Sequence, residues 1–185
     1  MQNRRLKVAY RSNENAYFVH PTAIIDEDVT IGEGAKIWAF SHVMSGAKIG
    51  KNCIIGEKVH IGPNVTLGEH CKVQNGVNLY AGVTAEDFVF FGPNCQTTNE
   101  KHIGLTDLEG NPYSDWTAGR TIFRQGCSIG ANAVVVCGSE STPTEIGSYA
   151  IVGAGAVVVS SVPGCAIVVG NPARLLRYRS QKITK

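Results

Sequence analysis

Charge is scarce in this chain of 185 residues: Asp, Glu, Lys and Arg make up 17%, and the formal net charge is +2. Nowhere do Lys and Arg gather beside aromatic residues, which argues against an electrostatic binder of nucleic acid. No apolar run approaches the roughly 18 residues that a membrane-spanning helix needs, so no membrane insertion is expected. The opening stretch from Met1 to Tyr17 is polar, with Arg4, Arg5 and Lys7 and no apolar segment behind them. No export signal is expected, and the expected location is the cytoplasm. The 6 cysteines lack zinc-type pairing, and His20, His42, His60, His70 and His102 include no His-x4-His pair. No metal is expected. The length suits one core and is short for two domains.

What the chain has in quantity is glycine, 21 residues, and a strict period. Stepping by six from Val19 gives Ile25, Ile31, Ile37, Val43, Ile49, Ile55, Ile61, Leu67, Val73, Leu79, Ala85 and Phe91. All thirteen are apolar, and all but Ala85 are large. Four places after each comes a small or Val-sized residue in every hexad, among them Ala35, Ser41, Cys53, Cys71 and Cys95. Gly often follows the large residue directly, as at Gly32, Gly50, Gly56, Gly62, Gly68 and Gly92. The register breaks after Gln96, resumes at Phe123, Ile129 and Val135, breaks again over Ser139–Glu145, and returns at Ile146, Val152 and Val158.

A helix would show a period of 3.6 and a half-buried strand a period of 2. Six residues with one large and one small inward side chain suit a short strand and a tight corner, with Gly freeing the corner backbone. Three such sides make an 18-residue triangular coil, stacked on the next at about 4.8 Å. The expectation is one all-β domain of about seven coils, roughly 34 Å tall. Its parts are an N-terminal lead (1–18), coils (19–98), a long protruding loop (99–121), further coils (122–169) and a short C-terminal tail (170–185). Cys53, Cys71, Cys95 and Cys127 fall in the small inward slot and read as reduced core residues.

A prism has no cleft of its own, so function belongs to outward columns, to the loops or to spaces between subunits. Residues 18 apart stack, which places Ile24, His42, His60, Asn78 and Gln96 in one outward column. That column reads either as a solvated face or as a ligand-lining surface with an imidazole base. The long loop carries Pro112, Tyr113, Asp115 and Trp116, and loops of this length inside a compact repeat usually serve function.

The [Leu/Ile/Val]-Gly-x-x-[small]-x pattern resembles the hexapeptide repeat of left-handed parallel β-helix proteins, and the hand comes from that resemblance. The strings Lys36-Ile-Trp-Ala-Phe-Ser-His-Val-Met-Ser-Gly-Ala47, Val73-Gln-Asn-Gly-Val-Asn-Leu-Tyr80, Phe90-Phe-Gly-Pro93 with Thr98-Asn99, and Val169-Gly-Asn-Pro-Ala-Arg174 narrow it. They are similar to the N-acetyltransferases that act on UDP- or dTDP-linked amino sugars, over about residues 18–177. The sequence departs after Asn99, where Glu100-Lys-His-Ile-Gly replaces the family's Asn-Pro-Arg-Ser, and in the five extra residues of Ser139–Glu145.

The resemblance implies transfer of acetyl from acetyl-CoA to an amino group, the 3-amino position above all, in surface polysaccharide biosynthesis. It also implies a homotrimer with active sites between subunits. It puts Asn99 beside the reacting amine, with His42, His60 and His102 as candidates to take a proton. Gly153, Ala154, Gly155 and Arg174 are expected to hold the cofactor, and Gln74, Asn75, Asn78 and Tyr80 the acceptor. Two other classes remain open: an acetyltransferase for another small amine or hydroxyl acceptor, and a non-catalytic β-helical scaffold.

Overall fold

The computed structural model describes residues 17–100, 103–113 and 117–180. Within them, twenty-two short strands and no helix form three sheets. The first sheet begins at Phe18–Val19 and climbs through Lys36–Ile37, Ile54–Ile55 and Lys72–Val73 to Ala166–Val169, where Arg174–Tyr178 joins it antiparallel. The second runs from Ile24–Ile25 through His42–Val43 and His60–Ile61 to Val157–Val158 in seven strands. The third runs from Thr30–Ile31 to Thr144–Ile146 in six, and a bridge from Ile146 to Val162 extends it. Each coil visits the three sheets in turn, which gives the seven coils that the period predicts.

The inward columns are as expected. Ile37, Ile55, Val73, Phe91, Ile129 and Val152 stack in the first sheet, each 2% exposed or less. In the third sheet the small Ala85 lies below Phe123, and the Phe123 ring meets that of Phe91 edge-on at 4.9 Å. Ser41, the polar member of the small column, is fully buried and satisfied. Its hydroxyl donates to the Gly56 carbonyl at 2.7 Å and accepts the Val59 N–H at 3.0 Å. Cys53, Cys71, Cys95 and Cys127 are buried free thiols, and burial pushes Cys95 and Cys127 up to about 12.

Two details correct the reading of the corners. The glycines after the large residue do not have positive φ. They are required by the closeness of the next coil: a Cβ at Gly32 would come within 2.6 Å of the Lys51 nitrogen, and one at Gly50 would strike the Gly68 carbonyl. The left-handed residue lies two positions further on. At the corner between the third and first sheets, Gly34, Asn52, His70, Phe88, Gly126, Tyr149 and Cys165 all have positive φ. Among the described residues, eleven that are not glycine, Phe40, Phe88 and Tyr149 included, hold φ of 53–60° at the three corners. Isolated, each costs about 1–2 kcal/mol; here the ladders on both sides fix it. The second correction concerns where the first run ends. Thr97 continues the inward column and is 3% exposed, its hydroxyl accepting the Tyr80 N–H at 3.0 Å.

Both interruptions leave from one corner, between the second and third sheets. Thr84 pairs with Ile122, so this coil holds 38 residues, twenty more than the repeat. Ile122 pairs with Glu145, a step of 23 that leaves five extra residues in the coil above. The strands return in register each time. In the last coil Ile151 pairs with Ile167, a step of only 16.

Candidate functional site

The second sheet carries the polar column. His42 pairs with His60, His60 with Asn78, and Asn78 with Gln96, each one coil apart. Above Gln96 the same column becomes Val134 and Val157, so polarity stops at the coil from which the long loop leaves.

The side chains of this column form two linked groups, one around His42 and His60 and one around Asn78 and Gln96. His42 Nε2 is 2.9 Å from Asp26 Oδ1, with both side chains about one-third exposed. The rings of His42 and His60 meet edge-on at 6.2 Å, and His60 leans on Tyr80 at 5.3 Å. Burial, with a smaller contribution from His42, holds His60 below the usual histidine range, so it stays neutral near pH 7. Asn78 donates to Gln96 Oε1 at 2.6 Å, and Gln96 donates to the carbonyls of Gly76 and Asn94. Asp26 was not among the residues the sequence singled out. It lies 16 residues before His42, the diagonal neighbour on a lattice of 18, and reading columns alone passes over diagonals.

The other expected residues divide between two corners. Gln74 and Asn75 lie at the corner between the first and second sheets, where the Asn75 amide oxygen accepts the Glu57 N–H at 2.9 Å. A 310 Å³ hollow there is lined by Trp38, Ile54, Gly56, Glu57, Lys72, Val73, Gln74 and Asn75. Gly153, Ala154 and Gly155 occupy the same corner higher up, since Gly155 donates to Ala131, Asn132 to Pro93 and Asn94 to Asn75. The amides of Gly153 and Gly155 are spent on Val168 and Ala131. What this corner offers a ligand is bare surface; nothing lies within 4 Å of a Cβ placed on Gly155. Arg174 opens the final antiparallel strand beside Val169, is exposed, and reaches the Ala173 carbonyl.

Asn99 is at the root of the loop, where its carbonyl accepts the Gly119 N–H at 2.7 Å. His102 lies outside the described residues, as do Asp115 and Trp116. Asn99 is three coils above His42, roughly 14 Å at 4.8 Å per coil. The column and the loop root therefore mark two ends of one face and do not converge on one atom. Beyond the root, Thr106 bridges Pro112, and Asp107 accepts from the Glu109 and Asn111 amides, so residues 106–112 form a hairpin. Its Ile103, Leu105 and Leu108 are 93%, 88% and 103% exposed. Among the described residues no helix is long and apolar enough to cross a membrane.

Comparison with known proteins is decisive at this point. Residues 28–63 and 46–81 match the bacterial transferase hexapeptide (six repeats) family, and residues 125–160 match the hexapeptide repeat of succinyl-transferase. A dTDP-3-amino-3,6-dideoxy-alpha-D-galactopyranose 3-N-acetyltransferase from Aneurinibacillus thermoaerophilus is 41% identical over 174 residues, 94% of this chain and 84% of that protein. The chain belongs to the hexapeptide-repeat acyltransferases. Its stacked coils are the left-handed parallel β-helix of that family. A hexapeptide-repeat acetyltransferase from Vibrio cholerae, solved with acetyl coenzyme A, is 25% identical with a TM-score of 0.63, over 74% of this chain and 72% of that one. An N-acyltransferase from Bacillus cereus, solved with dTDP and coenzyme A, shares the fold at 21% identity and a TM-score of 0.62, over 94% and 92%.

Proposed function

We propose that this acyltransferase moves acetyl from acetyl-CoA to the 3-amino group of a dTDP-linked amino sugar, in the cytoplasm, on a route to surface polysaccharide. The relative at 41% identity supports the acceptor class. The observation that carries the reading is the continuous polar column that rises from Asp26 and His42 to Gln96 and ends at the loop root. It is long enough for an extended acceptor, and it stops where the wall turns apolar.

The donor arm lies against the bare upper corner of Gly153–Gly155, with Arg174 as a partner for its phosphates. Asn99 is two coils, about 10 Å, from that level, and His42 is five. The reacting end is thus the Asn99 end. The neutral amine attacks the thioester carbonyl, the carbon–sulfur bond breaks, and the amine proton ends on the departing sulfur. The Asn99 amide oxygen accepts an amine N–H and aims the lone pair. Asn78, Tyr80 and the His42–His60 pair grip the far part of the acceptor, and Gln74 and Asn75 border it. The working unit is a homotrimer: a lone prism has no cleft, and the uncovered Ile103, Leu105 and Leu108 are a surface that a neighbouring copy covers.

A second reading makes His42 the general base, and the Asp26 carboxylate 2.9 Å away favours it. The test is thiol release from acetyl-CoA with dTDP- and UDP-linked 3-amino sugars, free amino sugars and simple amines. Turnover with the dTDP sugar far above the free amines is expected; equal turnover with simple amines, or none at all, overturns the assignment. Asn99→Ala should lower kcat roughly 10- to 1000-fold with little change in KM for acetyl-CoA. His42→Ala should mainly raise KM for the sugar. The reverse pattern moves the reacting end to His42.

A further inference from the structure

The five-residue insertion after Gly138 has no counterpart elsewhere in the repeat, and it stands directly above the loop root. Three glycines are stacked there. A Cβ on Gly82 would strike the Gly119 carbonyl, one on Gly119 would strike Cys137 Sγ, and one on Gly138 would strike the Thr142 carbonyl. The loop therefore returns through a slot with room for backbone only.

Both limbs of the loop are tied into that slot from above. On the outgoing limb, Thr98 Oγ1 accepts the Cys137 N–H at 3.0 Å. On the returning limb, Arg120 and Gly138 exchange two backbone hydrogen bonds of 3.2 and 3.0 Å, and Thr144 donates to the Arg120 carbonyl. Gly119 then closes the root on the Asn99 carbonyl. The insertion is itself ordered: Ser139 N–H donates to Thr142, and the Thr142 N–H donates to Ser139 Oγ. A regular 18-residue coil would run from Cys137 straight to the third sheet, and Gly138 would not step outward to meet Arg120.

We infer that residues 139–143, with Thr98 and the Gly82–Gly119–Gly138 stack, form a rigid neck that sets the position of Asn99. The neck makes Thr98 and Gly119 positioning residues for the transfer. The inference rests on the reading of Asn99 as the amine-orienting group, and two readouts keep the two ideas apart.

The first readout is amide hydrogen exchange at Gly119, which reports the neck whatever Asn99 does. Thr98→Val and excision of residues 139–143 should each speed it at least about tenfold, and Thr98→Ser should not. Unchanged exchange in both altered proteins overturns the neck. The second readout is kinetic. Thr98→Val should lower kcat about tenfold, at ordinary KM for acetyl-CoA, and Thr98→Ser should restore it. Combined with Asn99→Ala, Thr98→Val should add no further loss. A neck that loosens while kcat stays at the wild-type value in Thr98→Val refutes its positioning role. An unchanged kcat in Asn99→Ala refutes the role of Asn99 and leaves the exchange result standing.

Discussion

Removing the Phe123 ring is the sharpest test of the core, because Phe123 is where the chain re-enters the prism after the long loop. Its side chain is fully buried, pairs edge-on with Phe91 at 4.9 Å, and lies over Ala85 in the third-sheet column. Ala85 is the one small residue among the thirteen large-column positions, and it pairs directly with Phe123 in the ladder. Phe123→Ala should cost about 3–5 kcal/mol, of which about 0.5–1.5 belongs to the ring pair. At about 2–4 °C per kcal/mol for a chain of this size, Tm should fall roughly 6–20 °C.

Ala85→Leu in the wild-type background pushes three carbons against Phe123 and should destabilise by about 1–3 kcal/mol. In Phe123→Ala the same substitution enters the cavity and should stabilise, so its sign reverses between backgrounds. Urea unfolding of the four proteins at one fixed chain concentration measures this, since assembly makes stability depend on concentration. If Ala85→Leu destabilises equally in both backgrounds, or Phe123→Ala costs under about 1 kcal/mol, the stacking described here is wrong.

Arg124 ties three coils together, bonding Glu86 Oε1 at 2.9 Å below and Glu145 Oε2 at 2.9 Å above. The Arg124 bond, and then the Gln125 N–H, hold the Glu86 carboxyl below the usual range. A lowered folded value means that its contribution is complete above the ordinary Glu pKa near 4.3 and is lost as pH falls through the folded value. Glu86→Gln should therefore show a smaller drop in Tm than the wild type between about pH 5 and pH 3, and an equal drop refutes the tie. Thiol labelling at neutral pH should modify Cys165, which is exposed, and spare the buried Cys53, Cys71, Cys95, Cys127 and Cys137 until the protein is unfolded. Peptide mapping of the label that finds Cys95 or Cys127 in the native protein would contradict their place in the core.

The fold was legible because in a coil of fixed length sequence distance becomes spatial distance. Inward columns, the polar column and both interruptions follow from steps of 6 and 18. Diagonals do not, and the carboxylate that meets His42 is on one. Asp26 lies 16 residues from His42, two short of a full coil. Arg124 and Glu145 repeat that relation at 21, two short of the 23-residue coil that they span. Thr97 escapes the pattern for another reason: a hydroxyl replaces the large apolar side chain, and the Tyr80 amide and the Asn78 carbonyl satisfy it inside. The pattern suggests flexibility for the glycines that follow the large residues, whereas the coil above sets their size, and the left-handed positions two residues on are shared by other glycines, Asn and bulkier residues such as His70, Phe88 and Tyr149.

Both insertions leave the same corner in consecutive coils, and the reason is physical. An insertion within a strand would turn inward residues outward and break ladders with the coils on both sides. At a corner the strands can resume their pairing, as Ile122 does with Thr84 and Glu145 with Ile122. Adding twenty residues at one corner removes that coil's own backbone partners for the corner above it. The five-residue insertion restores them, through Gly138 and Arg120. The polar column ends at this same level, where Gln96 gives way to Val134. Polar wall, loop root and apolar wall thus meet within one coil, the level at which the proposed transfer sets Asn99 beside the acceptor amine.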